Sequence, residues 1–195
     1  MKASGWAFEE VDEQRVLLVS PDGEVLYGQG RRHMEYPIHT RVLAARPDVT
    51  AVVHSHAGNA VAFAALDVPL RPISHDAVSF VGPDVPRFTR TGALITDDTT
   101  GDALAAALGT AAGVLIPAHG MVTVGATPAE AVLRAVLLDR ACGAQLQAMA
   151  AGPLRRWSDE AEVATKVRTV ADPAQLQVAY EYLLRRAGRA LDASA

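Results

Sequence analysis

The sequence holds one cysteine, Cys142, among 195 residues. A lone thiol excludes an internal disulfide framework and fits a reducing compartment. No apolar stretch is long enough to cross a bilayer, and the opening MKASGWAFEE lacks the apolar core of a signal peptide. Neither sign of charge dominates: 18 Lys and Arg face 22 Asp and Glu, a formal charge of −4. With no long basic run, nucleic-acid binding has no electrostatic support. There is no G-x-G-x-x-G after the first strand and no Walker loop, so nucleotide binding has none either. Aromatic residues are scarce at 5%, yet half the chain is apolar and 21% is charged, ample for a buried core and unlike a disordered chain. The expectation is one soluble domain, with or without a tail, in the cytoplasm, with no nucleic-acid or membrane partner.

Residues 16–20 and 25–27 read as a hairpin around the turn Pro21-Asp-Gly-Glu24. Apolar residues at helical spacing predict a helix over 35–45, ended by Arg46-Pro47. The β-branched run 49–53 reads as a buried strand leading into His54-Ser-His56, and 59–66 as an Ala-rich helix. A strand over 78–81, a loop over 83–100 with a weak strand near Arg87, a helix over 102–108, and strands over 114–116 and 121–124 follow. Thr127, Pro128 and Glu130 form a capping-box pattern that opens a helix running to about Ala151. Gly152-Pro153 stops it. This divides the chain into a domain, 1–152, and a C-terminal helical extension, 153–195, with helices over 159–168 and 173–189 and a frayed end over 191–195. Strands and helices alternate without the regular period of a doubly wound sheet. With the opening hairpin, that argues for an α/β fold on a mixed sheet.

All six histidines fall between His33 and His119. In a strand, residues i and i+2 face the same way, so His54 and His56 project together at a strand end. Such a pair can chelate a divalent metal; a solvent-facing pair would give the same pattern. His119 repeats the setting, at the end of an apolar strand and followed by Gly120. Three strand-end histidines make a His₃ metal site with an open position plausible, against the reading of a satisfied turn histidine. Glu35 opens a helix whose face it shares with His39. It could be a ligand or general base, or simply an acid complementing the helix dipole. His75, before Asp76, could be a proton donor or a surface residue. Cys142 reads as a core thiol.

The ordered set Glu35-Tyr-Pro-Ile-His39, Ala45-Arg-Pro-Asp-Val49, Ala51-Val-Val-His-Ser-His56 and Ala118-His-Gly120 resembles the class II aldolase/adducin family over roughly residues 4–150. The resemblance implies a three-layer α/β/α fold with a mostly antiparallel central sheet, and a homotetramer with active sites at subunit boundaries. It implies that His54, His56 and His119 bind a divalent metal, typically Zn2+, with Mn2+, Co2+ or Fe2+ as alternatives. Glu35 would then be the acid/base residue.

Departures from the family pattern narrow the substrate. Sugar-phosphate aldolases of the family carry a Gly-Asn loop near the N-terminus and two small hydroxyl residues before the acid. Here Ser4-Gly5 matches a later loop, the segment ahead of it is expected to be missing, and His33-Met34 precedes Glu35. Met34 cannot donate a hydrogen bond to phosphate. His75 stands where those aldolases place a tyrosine proton donor. Residues 157–186 resemble the C-terminal extension of members that decarboxylate hydroxylated aromatic acids. The expected activity is therefore that of a metal-dependent carbon–carbon lyase decarboxylating a small non-phosphorylated hydroxy acid through a metal-stabilised enolate, with Glu35 and His75 as catalytic residues. The alternatives are an aldolase or epimerase acting on a sugar phosphate, an iron oxygenase on the same scaffold, and a metal-free interaction module of the adducin type.

Overall fold

A computed structural model describes residues 1–82 and 84–194, with side chains through Gly188. A two-stranded antiparallel ribbon, β1 (Leu18–Val19) with β2 (Val25–Tyr27), precedes helix α1 (Tyr36–Ala45). The central sheet has the order β3-β5-β4, from β3 (Ala51–Ser55), β4 (Gly113–Ile116) and β5 (Gly120–Gly125), all antiparallel. A single parallel bridge, Arg87 to Leu115, extends it at the β4 edge. Helix α2 (Gly58–Ala64) follows β3, α3 (Asp98–Leu108) precedes β4, and α4 (Pro128–Ala151) follows β5. Helices α5 (Glu160–Val170) and α6 (Pro173–Ser194) complete the described chain.

The two-residue period of the strands sorts the core into two layers. Leu115 and Met121 pack with Phe63 of α2 and Leu138 and Cys142 of α4. Their neighbours Val114, Ile116, Val122 and Val124 pack on the opposite face with Ile38 and Val42 of α1 and Leu104 and Leu108 of α3. Helices therefore cover both faces of the sheet, giving the α/β/α architecture. Among the described residues, no helix is long and apolar enough to cross a membrane.

Several expectations shift. No strand forms over 78–81; His75–Ala77 is a 3-10 turn, and Phe80 N–H donates to Ala77 O at 3.0 Å. The apolar run is buried as a turn, with Ala77, Val78 and Phe80 inside. Helix α3 starts at Asp98, ahead of the expected 102, because Asp97 caps it by accepting from Thr100 N–H at 2.9 Å. The strand expected over 16–20 shrinks to Leu18–Val19. Helix α6 continues past 189 to Ser194 rather than fraying there, and Ala195 lies outside the described residues.

Candidate metal centre

Strand β3 carries His54 on its fourth residue, paired with Val122 of β5. The period places His54 on the same face as Val52, the face covered by α1 and α3. His56 lies two residues on. His119 sits in the β4–β5 turn, which closes through His119 N–H donating to Ile116 O at 3.1 Å. That turn forces Ala118 into the left-handed region at φ 59°. Gly120 lets the two strand ends meet: a Cβ there would stand 2.9 Å from His56 Cδ2 and would collide with Ser55 O. The three imidazole rings form a triangle with 5.0 Å between each pair of centroids.

Glu35 occupies the N-cap of α1, where an acidic side chain ordinarily accepts from its own helix. It makes no such bond. At 2% exposure, its Oε1 accepts from Ile95 N–H at 3.0 Å and approaches His119 Nε2 at 3.3 Å, while Oε2 lies 3.6 Å from His54 Nε2. One ligand atom from each of Glu35, His54, His56 and His119 falls within 4.8 Å of the others.

The donor set fits a divalent cation. Met121 O, which can only accept, lies 3.0 Å from His54 Nδ1, so that nitrogen carries the proton and Nε2 presents a lone pair. His54 Nε2 and His56 Nε2 converge at 3.2 Å. Burial, assisted by the neighbouring imidazoles, holds His54 down at about 4, against the pull of Met121 O and Glu35. It is neutral, and therefore ligand-ready, near pH 7. Both ring nitrogens of His119 are buried without a hydrogen-bond partner among the described residues. Its approach to Glu35 lacks hydrogen-bond geometry. A buried, unsatisfied nitrogen costs roughly 1–3 kcal/mol, and a cation taking its lone pair would remove part of that cost. These four residues could therefore hold a metal ion.

The other histidines stand apart from this group. His39 is held down at about 4, chiefly by burial and then by His54, and bonds to the Val52 backbone. His33 Nδ1 accepts from Glu35 N–H at 3.4 Å. His75 is exposed at the start of its 3-10 turn, outside the four-residue cluster.

Sequence reasoning missed Asp139. From α4 its carboxylate accepts from Asn59 N–H, Asn59 Nδ2–H and Ala60 N–H at 2.9–3.0 Å, capping α2 from outside. Asn59 lies against Gly143, one turn further along α4, where a Cβ would be 2.8 Å from its amide. This clamp fixes the turn that leaves His56. Nothing local in the sequence marks a contact between residues 80 apart.

The family model for the class II aldolase and adducin N-terminal domain matches residues 1–146. The chain belongs to this family. A 3,4-dihydroxyphthalate decarboxylase of Arthrobacter keyseri is 30% identical to this class II aldolase/adducin chain over 156 residues, 76% of this chain and 62% of that protein. The chain thus spans less than two thirds of that relative. A 5-methylthioribulose-1-phosphate/5-deoxyribulose-1-phosphate aldolase of Rhodospirillum rubrum is 31% identical over 175 residues, covering 89% of this chain and 78% of that one. Among solved structures, an aldolase II superfamily protein from Pseudomonas syringae superposes with a TM-score of 0.83 at 25% identity, over 97% of this chain and 77% of that one.

Proposed function

We propose that this class II aldolase/adducin protein is a metal-dependent carbon–carbon lyase that decarboxylates a small, non-phosphorylated hydroxy-aromatic acid. The observation that carries the lyase reading is the convergence of three imidazoles on the buried carboxylate of Glu35. Two further points support decarboxylation. One is the family kinship to a dihydroxyphthalate decarboxylase. The other is Met34, exposed beside Glu35, where a phosphate-binding hydroxyl would be needed.

His54, His56 and His119 would hold the cation, with Zn2+ the first choice. When bound it would supply Lewis-acid withdrawal of charge from the substrate's hydroxyl and carboxylate oxygens. Glu35, fixed by Ile95 N–H, would take the hydroxyl proton and deliver a proton to the ring carbon that bears the carboxylate, giving a dienone. The bond from that carbon to the carboxylate then breaks, its electron pair flows through the dienone onto the former hydroxyl oxygen, the ring regains its aromaticity, and carbon dioxide leaves. His75 is assigned the second proton-transfer role, as the donor nearer solvent. The apolar side chains exposed on the N-terminal segment, Phe8, Leu18, Leu26 and Tyr27 among them, support self-association, for which the family resemblance supplies the homotetramer, and the lone buried thiol supports a cytoplasmic setting.

A second reading, aldol cleavage of a deoxypentulose phosphate, is favoured by the extent of the match to the Rhodospirillum aldolase. Elemental analysis of untagged protein beside His54→Ala tests the centre, and carbon dioxide release from dihydroxyphthalates beside cleavage of 5-deoxyribulose 1-phosphate separates the reactions. One metal per chain, lost in the variant, with carbon dioxide evolved, is expected. Iron with oxygen consumption would favour an oxygenase. No metal bound or taken up would leave an interaction module of the adducin type. Glu35→Gln should keep the metal and lose turnover. His75→Ala with full turnover would remove His75 from the mechanism.

A further inference from the structure

A cavity of about 360 Å³, open to solvent on one side, lies where the C-terminal end of α4 meets the Pro-rich loop 68–72 and the strap that follows Gly152. Its walls are mostly apolar, with Val68, Pro69, Met149 and Leu154 among them, and that volume is within the range of small-ligand pockets. Arg71 and Trp157 also line it, with the guanidinium carbon 4.9 Å from the centre of the indole ring.

The frame around this cavity is tied down. Gln145, 1% exposed, accepts from Arg71 N–H at 2.7 Å and donates to Pro69 O at 2.9 Å, holding the loop to α4. Ser158 N–H donates to Pro72 O at 3.1 Å and pins the strap across the loop, and Lys166 Nζ donates to Ser158 Oγ at 2.5 Å. Within this frame Arg71 differs from five other arginines of the body. Arg41, Arg46, Arg87, Arg134 and Arg140 each have a carboxylate within ion-pairing distance. The half-buried Arg71 guanidinium has neither a carboxylate nor a hydrogen bond among the described residues, only the face of Trp157.

We propose that this cavity binds a small aromatic monocarboxylate at a site separate from the Glu35–histidine cluster. A guanidinium fork matches a carboxylate in two parallel hydrogen bonds. The indole face and the apolar walls suit an aromatic ring carried on the same molecule. A phosphate would leave the indole face and the apolar walls without a partner. None of the residues that line the cavity belongs to the Glu35–histidine cluster.

Benzoate is the probe, because it has no hydroxyl with which to chelate a metal. In a Trp6→Phe background Trp157 is the sole indole, and its fluorescence is titrated with benzoate and, in parallel, with neutral benzyl alcohol. Saturable quenching by benzoate alone is expected, retained in His54→Ala and weakened at least tenfold in Arg71→Gln. Arg71→Lys, which keeps the charge without the fork, should fall between. No saturation below about 10 mM, equal affinity in Arg71→Gln, or loss of binding in His54→Ala would each overturn the proposal. The last would move the ligand to the metal centre.

Discussion

Two buried polar side chains on opposite faces of the sheet are treated in opposite ways. Both ends of the Gln145 amide are bonded: its carbonyl oxygen takes Arg71 N–H, and its NH2 group reaches Pro69 O and the sulfur of Met149. His119, equally enclosed, has both ring nitrogens unpartnered among the described residues. The fold satisfies one buried amide and leaves the imidazole bare, which is the arrangement the proposed metal centre requires. The first is a fastener between α4 and a loop; the second is the proposed ligand, and its unmet hydrogen bonds weaken the metal-free protein.

The comparison breaks if His119 proves structural. His119→Ala should abolish metal uptake and lower turnover by roughly a thousandfold or more. The same change should alter metal-free stability by no more than about 1 kcal/mol, because the small cavity it leaves is offset by removing two unsatisfied nitrogens. Urea unfolding in the presence of a chelator checks this, and a loss of several kcal/mol would put His119 in the same class as Gln145. Gln145→Leu should do the reverse. It strands Arg71 N–H and Pro69 O, at a cost of about 3 kcal/mol, while metal stoichiometry stays that of the parent.

The fastener and the ligand also differ in how visible they are in the sequence. Strand period and apolar flanks announce His54, His56 and His119, since a two-residue repeat at a strand end needs only local chain geometry. The α/β/α layering is likewise written into Val52-Val53 and Val114-Leu-Ile116, whose alternate side chains serve opposite cores. Glu35 is harder. It is a helix cap that declines to cap, and its contacts to Ile95 and His119 cross the whole sheet-covering layer, so only family resemblance singles it out. Gln145 and Asp139 are silent because their partners lie more than 70 residues away. The misread strand over 78–81 and the late start of α3 have local causes. A buried turn imitates a short strand in composition, and Asp97-Asp-Thr-Thr100 looks like loop until its hydrogen bond is seen.

Acid should separate the two faces further. His39 and His54 are both held down at about 4, mainly by burial. The unfolded chain takes up those protons near 6.5, and the folded chain does not until about 4. Metal-free stability should therefore be full above pH 6.5 and fall as pH drops towards 4, with His39 contributing at most about 3 kcal/mol of the loss. His39→Gln should flatten that slope, and an unchanged slope would refute the assignment. Asp48, held at about 2 by Arg46, titrates below this window. Asp139→Ala removes the acceptor of three hydrogen bonds at the start of α2 and should cost about 1–2 kcal/mol. It should also weaken metal binding by loosening the exit from His56, so a variant of lower stability with unaltered metal affinity would confine Asp139 to capping.

The smallest expected effect tests whether the ligand side of the comparison stores backbone strain as well as unmet hydrogen bonds. Ala118 holds φ 59° in the turn that presents His119, a conformation that costs an L-residue with a Cβ about 1 kcal/mol. Ala118→Gly relieves that cost but gives the unfolded chain more freedom to lose. The net change in stability should be within about 0.5 kcal/mol of zero. What should move is affinity for the cation, because the glycine no longer restricts the turn to the arc that points the imidazole at Glu35 and His54. Chelator competition at fixed pH reads this directly. Weaker binding at unchanged stability would show the strained turn orienting a ligand, whereas higher stability with unchanged binding would show that the strain has no part in the site.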